Sequence, residues 1–308
     1  MKNYIKLIAC SISVSLILGG CVGADIGKES AKQQDDLEYP KDQYESVLTY
    51  KGEGYDLPGG EKNEKIANEH KEEVVKATKE YLKKEYRTDV EVHNMVGNQD
   101  GVTVFYESTG PLHFYATAIV PIDSKNKKVM EEKVWTLEGE VEDAIRAALY
   151  VYLFEDEFKA LDKQVEGFSS EFNLVGRTIE SLQNVGGIGY MKPFYFTQSM
   201  DLDEAINPVY ELYMKNPDAS RDQLKRAYKP DLFNPKYFRV SIQFFMEDPK
   251  AAPDPKVLKE MVNTIESNSE IPKGTYRVYL HDNFVNKKSS EGVKKNSLSQ
   301  SAPDYIIK

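Results

Sequence analysis

The spacing of apolar residues changes from helical to alternating near residue 88, and this change limits the folds open to the chain. Apolar side chains recur at helical spacing from about 61 to 86. Beyond that point apolar and polar residues alternate, which is typical of half-buried strands. The alternating runs lie at 90–93, 102–107 and 112–120, with a fourth run near 128–137. Because the connections between the first three runs are short and contain glycine, the sequence predicts a four-stranded antiparallel meander.

Apolar residues resume helical spacing from about 139 to 166, so the meander is predicted to lie between two helices. The clearest strand of the second half covers 238–246, and a helix that begins at Pro255 separates it from a last strand at 276–280. This order is compatible with a βαβ unit. The predicted fold class is therefore α+β, a meander flanked by two helices and followed by a mixed helix and strand second half. The tail after 284 is expected to be loosely ordered.

Helix starts in the second half carry local signals. Ser220 and Gln223 fit a capping box. Asp254 precedes Pro255 as an N-cap residue. Asn207-Pro208 must start or kink a helix, because proline lacks the backbone donor.

The N-terminus has the order of a secretory signal, with two lysines, an apolar run of twelve residues and small residues before a cysteine. The apolar run, Leu7 to Leu18, is shorter than the roughly 20 residues of a membrane-spanning helix. The sequence Leu18-Gly19-Gly20-Cys21 resembles the lipobox of bacterial lipoproteins. That resemblance implies cleavage before Cys21, with diacylglyceryl and N-acyl groups on this residue. The predicted location is the extracytoplasmic face of the cell membrane, with the membrane as partner through the lipid on Cys21.

Four segments are predicted along the chain. They are a lipoprotein signal peptide over 1–20, the lipidated cysteine and a flexible tether over 21–48, an α+β unit over 49–167, and a second mixed α/β region over 168–308 packed on the first. The tether is expected because its sequence is polar and has no apolar periodicity.

Cysteine content and charge exclude several classes of function. Cys10 leaves with the leader and Cys21 is acylated, so the mature chain has no thiol for catalysis, disulfides or zinc-thiolate sites. The full chain has 40 basic and 50 acidic residues, and loss of Lys2 and Lys6 leaves 38 and 50, a net charge of −12. Phosphate backbones require a basic surface, so no nucleic-acid partner is expected.

Four stretches of the chain, 51–74, 92–123, 154–162 and 301–308, resemble a family of lipoproteins from low-GC Gram-positive bacteria. The family is catalogued as a domain of unknown function. The resemblance implies the lipid anchor and the cell type, and it brings no activity, ligand or catalytic residue.

Histidines are few, and none has the spacing of a metal motif. His93 and His113 fall in the predicted meander and could approach each other, but surface strand histidines are the favoured interpretation over a metal or acid/base pair. His70 falls on the apolar stripe of the first helix, and the fourth histidine is His281.

Three other clusters have a structural interpretation as well as a functional one. Glu155-Asp156-Glu157 is interpreted as a solvated face inside the long helix, because consecutive helical residues point in different directions. Gly186 to Tyr190 lacks the spacing of a phosphate-binding loop and is interpreted as a turn or a close approach of backbones. The aromatic clusters are interpreted as core or cross-strand packing rather than glycan contacts. They are Phe194-Tyr195-Phe196, Tyr237-Phe238 and Phe244-Phe245.

We therefore predict no catalytic, cofactor-binding or metal site, and one modified residue, Cys21. The favoured function is a membrane-anchored, noncatalytic binding or interaction protein with an unknown protein or glycan partner. A cell-wall hydrolase that uses paired carboxylates stays open, because such residues have no sequence spacing. A ligand-capturing lipoprotein of a transport system also stays open.

Overall fold

The computed structural model describes residues 39–308, which form helices and strands in alternating groups. The helices are α1 (Glu61–Glu69), α2 (Lys71–Tyr86), α3 (Glu140–Leu153), α4 (Glu155–Phe172), α5 (Ile179–Val185), α6 (Asn207–Lys215), α7 (Arg221–Ala227) and α8 (Pro255–Ser267). The strands are β1 (Tyr44–Ser46), β2 (Val90–Gly97), β3 (Gly101–Ser108), β4 (Tyr115–Asp123), β5 (Lys128–Val129), β6 (Leu174–Val175), β7 (Tyr190–Lys192), β8 (Tyr195–Ser199), β9 (Phe238–Met246), β10 (Thr275–His281), β11 (Phe284–Asn286), β12 (Leu298–Gln300) and β13 (Ile306–Ile307).

The predicted meander is confirmed. Strands β2, β3, β4 and β5 form an antiparallel sheet in that order. Val102, Val104 and Tyr106 are buried on one face of β3, as their alternation predicts. The fourth strand is shorter than expected, because a 3-10 turn at Glu131–Lys133 interrupts the run and only Trp135 pairs again, with Ile119.

Both long helices of the prediction are broken in the structure. The first breaks at His70, where φ is −118° and ψ is 32°, and the second at Phe154, where φ is −113° and ψ is 41°. After each break a new helix starts with acidic residues in its first turn, which the helix dipole favours. The apolar period runs through both breaks, because the helices on either side bury side chains in one core. A one-residue break is therefore not visible in the periodicity.

The larger sheet has the order β12-β10-β9-β8-β7, with β13 on β10 and β6 on β9. Strands β9 and β10 are parallel and α8 lies between them in the chain, so the predicted βαβ unit is confirmed. Alternate residues of both strands are fully buried. These are Val240, Ile242 and Phe244 in β9, with Tyr276, Val278 and Leu280 in β10. The opposite face of the two strands carries polar side chains, which is unusual for a parallel pair.

The tail after 284 is not loosely ordered, and this prediction is corrected. It forms β11, β12 and β13, and Lys294 makes an ion pair with Asp282 at 2.8 Å between side chains that are each 6 % exposed. Part of the predicted tether also belongs to the folded chain. Strand β1 pairs with β11, and the hydroxyl of Tyr39 donates to Asp282 at 2.5 Å. The polar composition of these segments did not predict β1 and the C-terminal strands, because short edge strands need few apolar residues.

Residues 39–308 form one compact unit, and one cluster of buried apolar residues includes both sheets. The boundary predicted at 167/168 falls within α4. The two sheets are joined at Tyr115 and Gly189, which exchange backbone hydrogen bonds of 2.9 Å. Among the described residues no helix is both long and apolar enough to span a membrane.

Candidate functional site

The polar face of the larger sheet forms the floor of a cavity of about 410 Å³. Strand alternation places Ser241 and Gln243 on this face of β9, opposite the core residues. The strand register sets Arg277 beside Ser241 and Tyr279 beside Gln243. Strand β8 pairs with the opposite edge of β9 and adds Phe196 and Gln198 to the lining of the cavity. A cavity of this size fits a small organic molecule, for which pockets are typically about 300–1,000 Å³.

Two segments outside the sheet form the walls of this cavity. One is the loop 289–293, and the other is the end of α5 with Gly186 to Ile188. Arg177 and Tyr55 complete the lining. A second cavity of about 220 Å³ adjoins the first, since Ile188 and Gln198 line both, and it contains Arg239. We refer to the first cavity, together with Arg239 at its edge, as the arginine pocket.

The arginine pocket holds positive charge without a paired acid. Arg146 forms an ion pair with Asp143, and Arg221 forms one with Glu155. Within the part of the chain that the structure describes, Arg177, Arg239 and Arg277 have no such acidic partner within 4.0 Å. Burial lowers the pKa of Arg177 and of Arg239, and the neighbouring Arg277 lowers the pKa of Arg239 further. Arginine stays charged at any physiological pH. Glu291 in the lining offsets the charge of Arg177 only in part, since burial still lowers the pKa of Arg177.

The same side chains leave hydrogen-bond donors unused. The Nε atoms of Arg177, Arg239 and Arg277 are buried and have no hydrogen-bond partner among the described residues, and neither does the Oγ atom of Ser241. Buried polar atoms in folded proteins nearly always have partners, so four exceptions at two adjoining cavities require a cause. The side chains of Arg177, Arg277 and Ser241 line the cavity, so an acceptor bound there would meet groups that have unused donors.

The loop 289–293 is held over the sheet by a close approach of its backbone. A Cβ atom on Gly292 would lie 2.6 Å from the Phe245 ring and 2.9 Å from His281, so glycine is required there. Just beyond the loop, the Lys294 ammonium donates to the carbonyl groups of Gly292 and Phe284 as well as to Asp282. The pocket wall is therefore fixed by a buried charge network rather than by solvent-exposed contacts.

His281 lies beneath this wall and is uncharged. Its Nδ1 atom is 2.8 Å from the Ser297 hydroxyl, and the residue is fully buried. Burial lowers the pKa of His281 to about 3, and the positive charges of Lys294 and Arg177 act in the same direction.

The structure separates most of the residues that the sequence singled out. His70 lies at the break between α1 and α2, where its ring is 3.0 Å from Glu73. The acidic run 155–157 forms the first turn of α4 instead of the middle of a longer helix, and Glu155 pairs with Arg221 at 2.6 Å. His93 and His113 do approach a common group, since their Nε2 atoms lie 3.5 Å and 3.7 Å from Glu107 Oε2.

The two structural interpretations made for the larger sheet are confirmed. Gly186 and Gly187 form the turn between α5 and β7, and the backbone of Gly189 approaches that of Thr197 too closely for a side chain. Several members of the aromatic clusters are buried in the core, namely Tyr195, Phe238, Phe244 and Phe245. Phe196 is the exception that matters, because it lines the arginine pocket. Cys21 lies outside the described residues.

Sequence reasoning missed the arginines of the pocket. Arg239 and Arg277 occupy the polar positions of two strongly alternating strands. The sequence does show two strands that each have one apolar and one polar face, and the arginines lie on the polar faces. It does not show that the two strands are neighbours in the sheet.

Comparisons with known proteins agree on one family. The model of the family described as protein of unknown function (DUF1672) matches residues 38–308. The crystal structure of a DUF1672 family protein from Staphylococcus aureus subsp. aureus Mu50 is similar, with a TM-score of 0.69 and 16 % sequence identity. The similarity covers 85 % of this chain and 97 % of that chain, and at this identity it supports the fold alone. No curated protein matches the sequence.

Proposed function

The chain belongs to the DUF1672 family of proteins of unknown function, and on that premise we propose that it is a lipid-anchored binding protein whose arginine pocket takes an organic anion. The observation that carries the proposal is the set of three arginines that have no ion pair, and whose Nε atoms have no acceptor, among residues 39–308. The anchor is a separate part of the proposal and depends on Cys21.

Guanidinium groups define the chemistry of the ligand. A guanidinium presents its donors in a planar fork that matches carboxylate and phosphate oxygens, and such charge-assisted hydrogen bonds are stronger than neutral ones. Phe196 and Tyr279 add aromatic walls, which suit a ligand with an apolar or ring-shaped part next to its anionic group. The expected ligand is therefore a small carboxylate or phosphate compound rather than an inorganic ion alone.

Binding without turnover fits the lining of the pocket best. Glu291 is the one carboxylate among the lining residues, and they include neither histidine nor cysteine. Nucleophilic or acid–base chemistry by the serines of the lining would need a second group, most often a histidine, to activate them. Lys192 in the lining is already paired with Asp162 at 2.5 Å. The arginines provide charge and orientation, which are sufficient for capture.

The length of chain between Cys21 and the described residues limits how far an anchor would hold the pocket from the membrane. The family match begins at residue 38, and Tyr39 is already bonded to Asp282. The 17 residues between Cys21 and Tyr39 span at most about 60 Å when extended. A diacylglyceryl group with an N-acyl chain on Cys21 would therefore hold the pocket close to the outer face of the membrane.

Ligand-dependent stability tests the binding proposal. The mature chain with Cys21→Ala is heated with inorganic phosphate or a phosphorylated sugar, against chloride of equal ionic strength. A ligand at 100 times its Kd stabilises a protein by about 2.7 kcal/mol, which raises the Tm by several degrees. Arg277→Gln should abolish this rise, and Arg226→Gln on the exposed side of α7 should retain it. Equal rises in all three proteins would contradict a specific pocket.

The anchor has its own test. Metabolic labelling with a fatty acid should mark the wild-type protein and leave Cys21→Ala unlabelled. Equal labelling of the two proteins would contradict lipidation at Cys21 without affecting the proposal for the pocket.

One observation favours the second candidate, a hydrolase with paired carboxylates. Glu140 and Asp143 both line the smaller cavity beside Arg239 and lie one turn apart on α3. Burial raises the pKa of Asp143 to about 6, although Arg146 at 2.8 Å opposes this, and burial also raises the pKa of Glu140. A carboxyl group with a raised pKa can serve as a general acid. Release of product from cell-wall glycan by the wild type, lost in Glu140→Gln and in Asp143→Asn, would support this candidate over binding alone.

A further inference from the structure

A cluster of potential metal ligands lies on the meander, outside the arginine pocket. Glu91 on β2 and Glu107 on β3 are direct partners in the antiparallel register, so their side chains leave the same face of the sheet. This face is opposite the one that buries Val104 and Tyr106. With His93, the two carboxylates offer ligand atoms that all lie within 4.8 Å of one another.

A β-bulge brings His93 into this cluster. The register passes from Val92 opposite Tyr106 to Asn94 opposite Phe105, so His93 is the extra residue of β2. A bulge changes the direction of a side chain and is frequent beside functional sites. Here the bulge follows closely after the Glu91–Glu107 pair, and the His93 ring comes within 3.5 Å of the Glu107 carboxylate with its side chain 12 % exposed.

The Nε2 atom of His93 is a buried polar atom that forms no hydrogen bond with the described residues. It lies 3.5 Å from Glu107 Oε2. In the tautomer whose proton is on Nδ1, Nε2 is an acceptor like the carboxylate oxygen, and the two atoms do not satisfy each other without a cation between them. In a tetrahedral site with bonds of about 2.0–2.1 Å, two ligand atoms lie roughly 3.3 Å apart. The observed separation is close to that value.

We propose that Glu91, His93 and Glu107 form a binding site for Zn²⁺ or a divalent transition ion of similar preference. One imidazole nitrogen and two carboxylate oxygens suit such an ion, whereas Mg²⁺ prefers oxygen ligands in octahedral geometry. Three protein ligands leave one position of a tetrahedral ion open to water or to a ligand. Under this proposal His93 is a metal ligand, whereas the sequence favoured a surface strand histidine.

Two neighbours support the cluster from outside. The Gln183 amide on α5 donates to Glu107 Oε2 at 3.5 Å, a contact that orients the carboxylate. His113 Nε2 lies 3.7 Å from the same oxygen and its side chain is 43 % exposed, so it is the nearest candidate for the fourth position. Neither residue is required for the three-ligand site.

Zinc titration of the mature chain with Cys21→Ala tests the site, because this protein has no thiol that could bind zinc. Competition with a chromophoric chelator should give one Zn²⁺ per chain, and Mg²⁺ in excess should not displace it. His93→Ala and Glu107→Gln should each weaken zinc binding at least tenfold. His70→Ala is the matched control, since it removes a histidine from another histidine–glutamate contact, and it should bind zinc like the wild type.

Folding of the variants is checked by circular dichroism and by the Tm in a chelator, and His93→Asn replaces His93→Ala if the latter unfolds. Loss of the zinc-dependent rise in Tm in a folded His93 variant supports the site. No stoichiometric binding by the wild type, or equal affinity of wild type, His93→Ala and Glu107→Gln, would overturn it.

Discussion

Lys294 links the C-terminal tail to the rest of the domain through a buried ion pair with Asp282. Its ammonium pairs with Asp282 while both side chains are 6 % exposed, and the Tyr39 hydroxyl bonds to the same carboxylate. Hydrogen bonds from Lys294 and Tyr39 hold the pKa of Asp282 below its usual range, against the opposing effect of burial. The network thereby connects the first described residue to the wall of the arginine pocket.

Replacing Lys294 with methionine should lower the free energy of unfolding by about 3–5 kcal/mol, because the Asp282 carboxylate would remain buried and unpaired. Chemical denaturation at pH 7 measures this. The matched control is Lys295→Met, at the exposed neighbouring position, which should change the free energy by less than about 0.5 kcal/mol. A loss below about 1 kcal/mol for Lys294→Met would contradict the structural role of the pair.

His281 makes stability depend on pH at mildly acidic values. Its pKa in the folded chain is about 3, compared with 6.5 in an unfolded chain, because of burial and of the nearby charges Lys294 and Arg177. The unfolded state therefore binds more protons than the folded state between these values, and stability falls as the pH falls from about 6.5 towards 3. The slope approaches about 1.4 kcal/mol per pH unit for one proton.

His281→Gln should reduce this slope between pH 6.5 and 4.5, where Asp282 does not yet take up protons, and denaturant midpoints at several pH values measure it. An unchanged slope in the glutamine variant would show that other groups cause the acid sensitivity.

At the scale of elements, α7 offers a local test of how sequence signals build the fold. The Ser220 side chain accepts a hydrogen bond from the Gln223 backbone, and the Gln223 side chain accepts one from the Ser220 backbone, so the predicted capping box is complete. Ser220→Ala should lower the free energy of unfolding by about 1 kcal/mol, since the backbone N–H of Gln223 loses its acceptor. Ser220→Thr keeps the hydroxyl and should lose less than half of that amount. Equal losses would indicate that the cap does not stabilise the domain.

Elements were predictable where one face is buried and one is polar. Strand β9 and the helix start at Pro255 are examples, because alternation and capping are local properties of the sequence. The breaks at His70 and Phe154 were not predictable, since backbone angles at a single residue leave the apolar period intact. The C-terminal strands were missed because they are short and their partners are distant in sequence.

At the scale of the whole molecule, the candidate site arises from strand order. Arg177, Arg239 and Arg277 are far apart in the sequence, and each one alone resembles a surface charge. The neighbouring positions of β9 and β10 place Arg239 close to Arg277. Arg177 and Arg277 line one cavity, and Arg239 lines the cavity that adjoins it. The composition conceals this as well, because the chain has a net charge of −10. Three arginines at two adjoining cavities, without an ion pair to any described residue, are a local feature that the net charge of the chain does not reveal.

Anion binding by these arginines is the central claim, and the resonances of their side-chain Nε–Hε groups measure it most directly. Phosphate and a phosphorylated sugar are titrated into the isotope-labelled mature chain with Cys21→Ala, at constant ionic strength. The account predicts saturable shifts of the Nε–Hε signals of Arg177, Arg239 and Arg277, with that of Arg226 unchanged, and at least tenfold weaker binding in Arg277→Gln. Shifts that do not saturate, or that are equal for Arg226 and the pocket arginines, would contradict it.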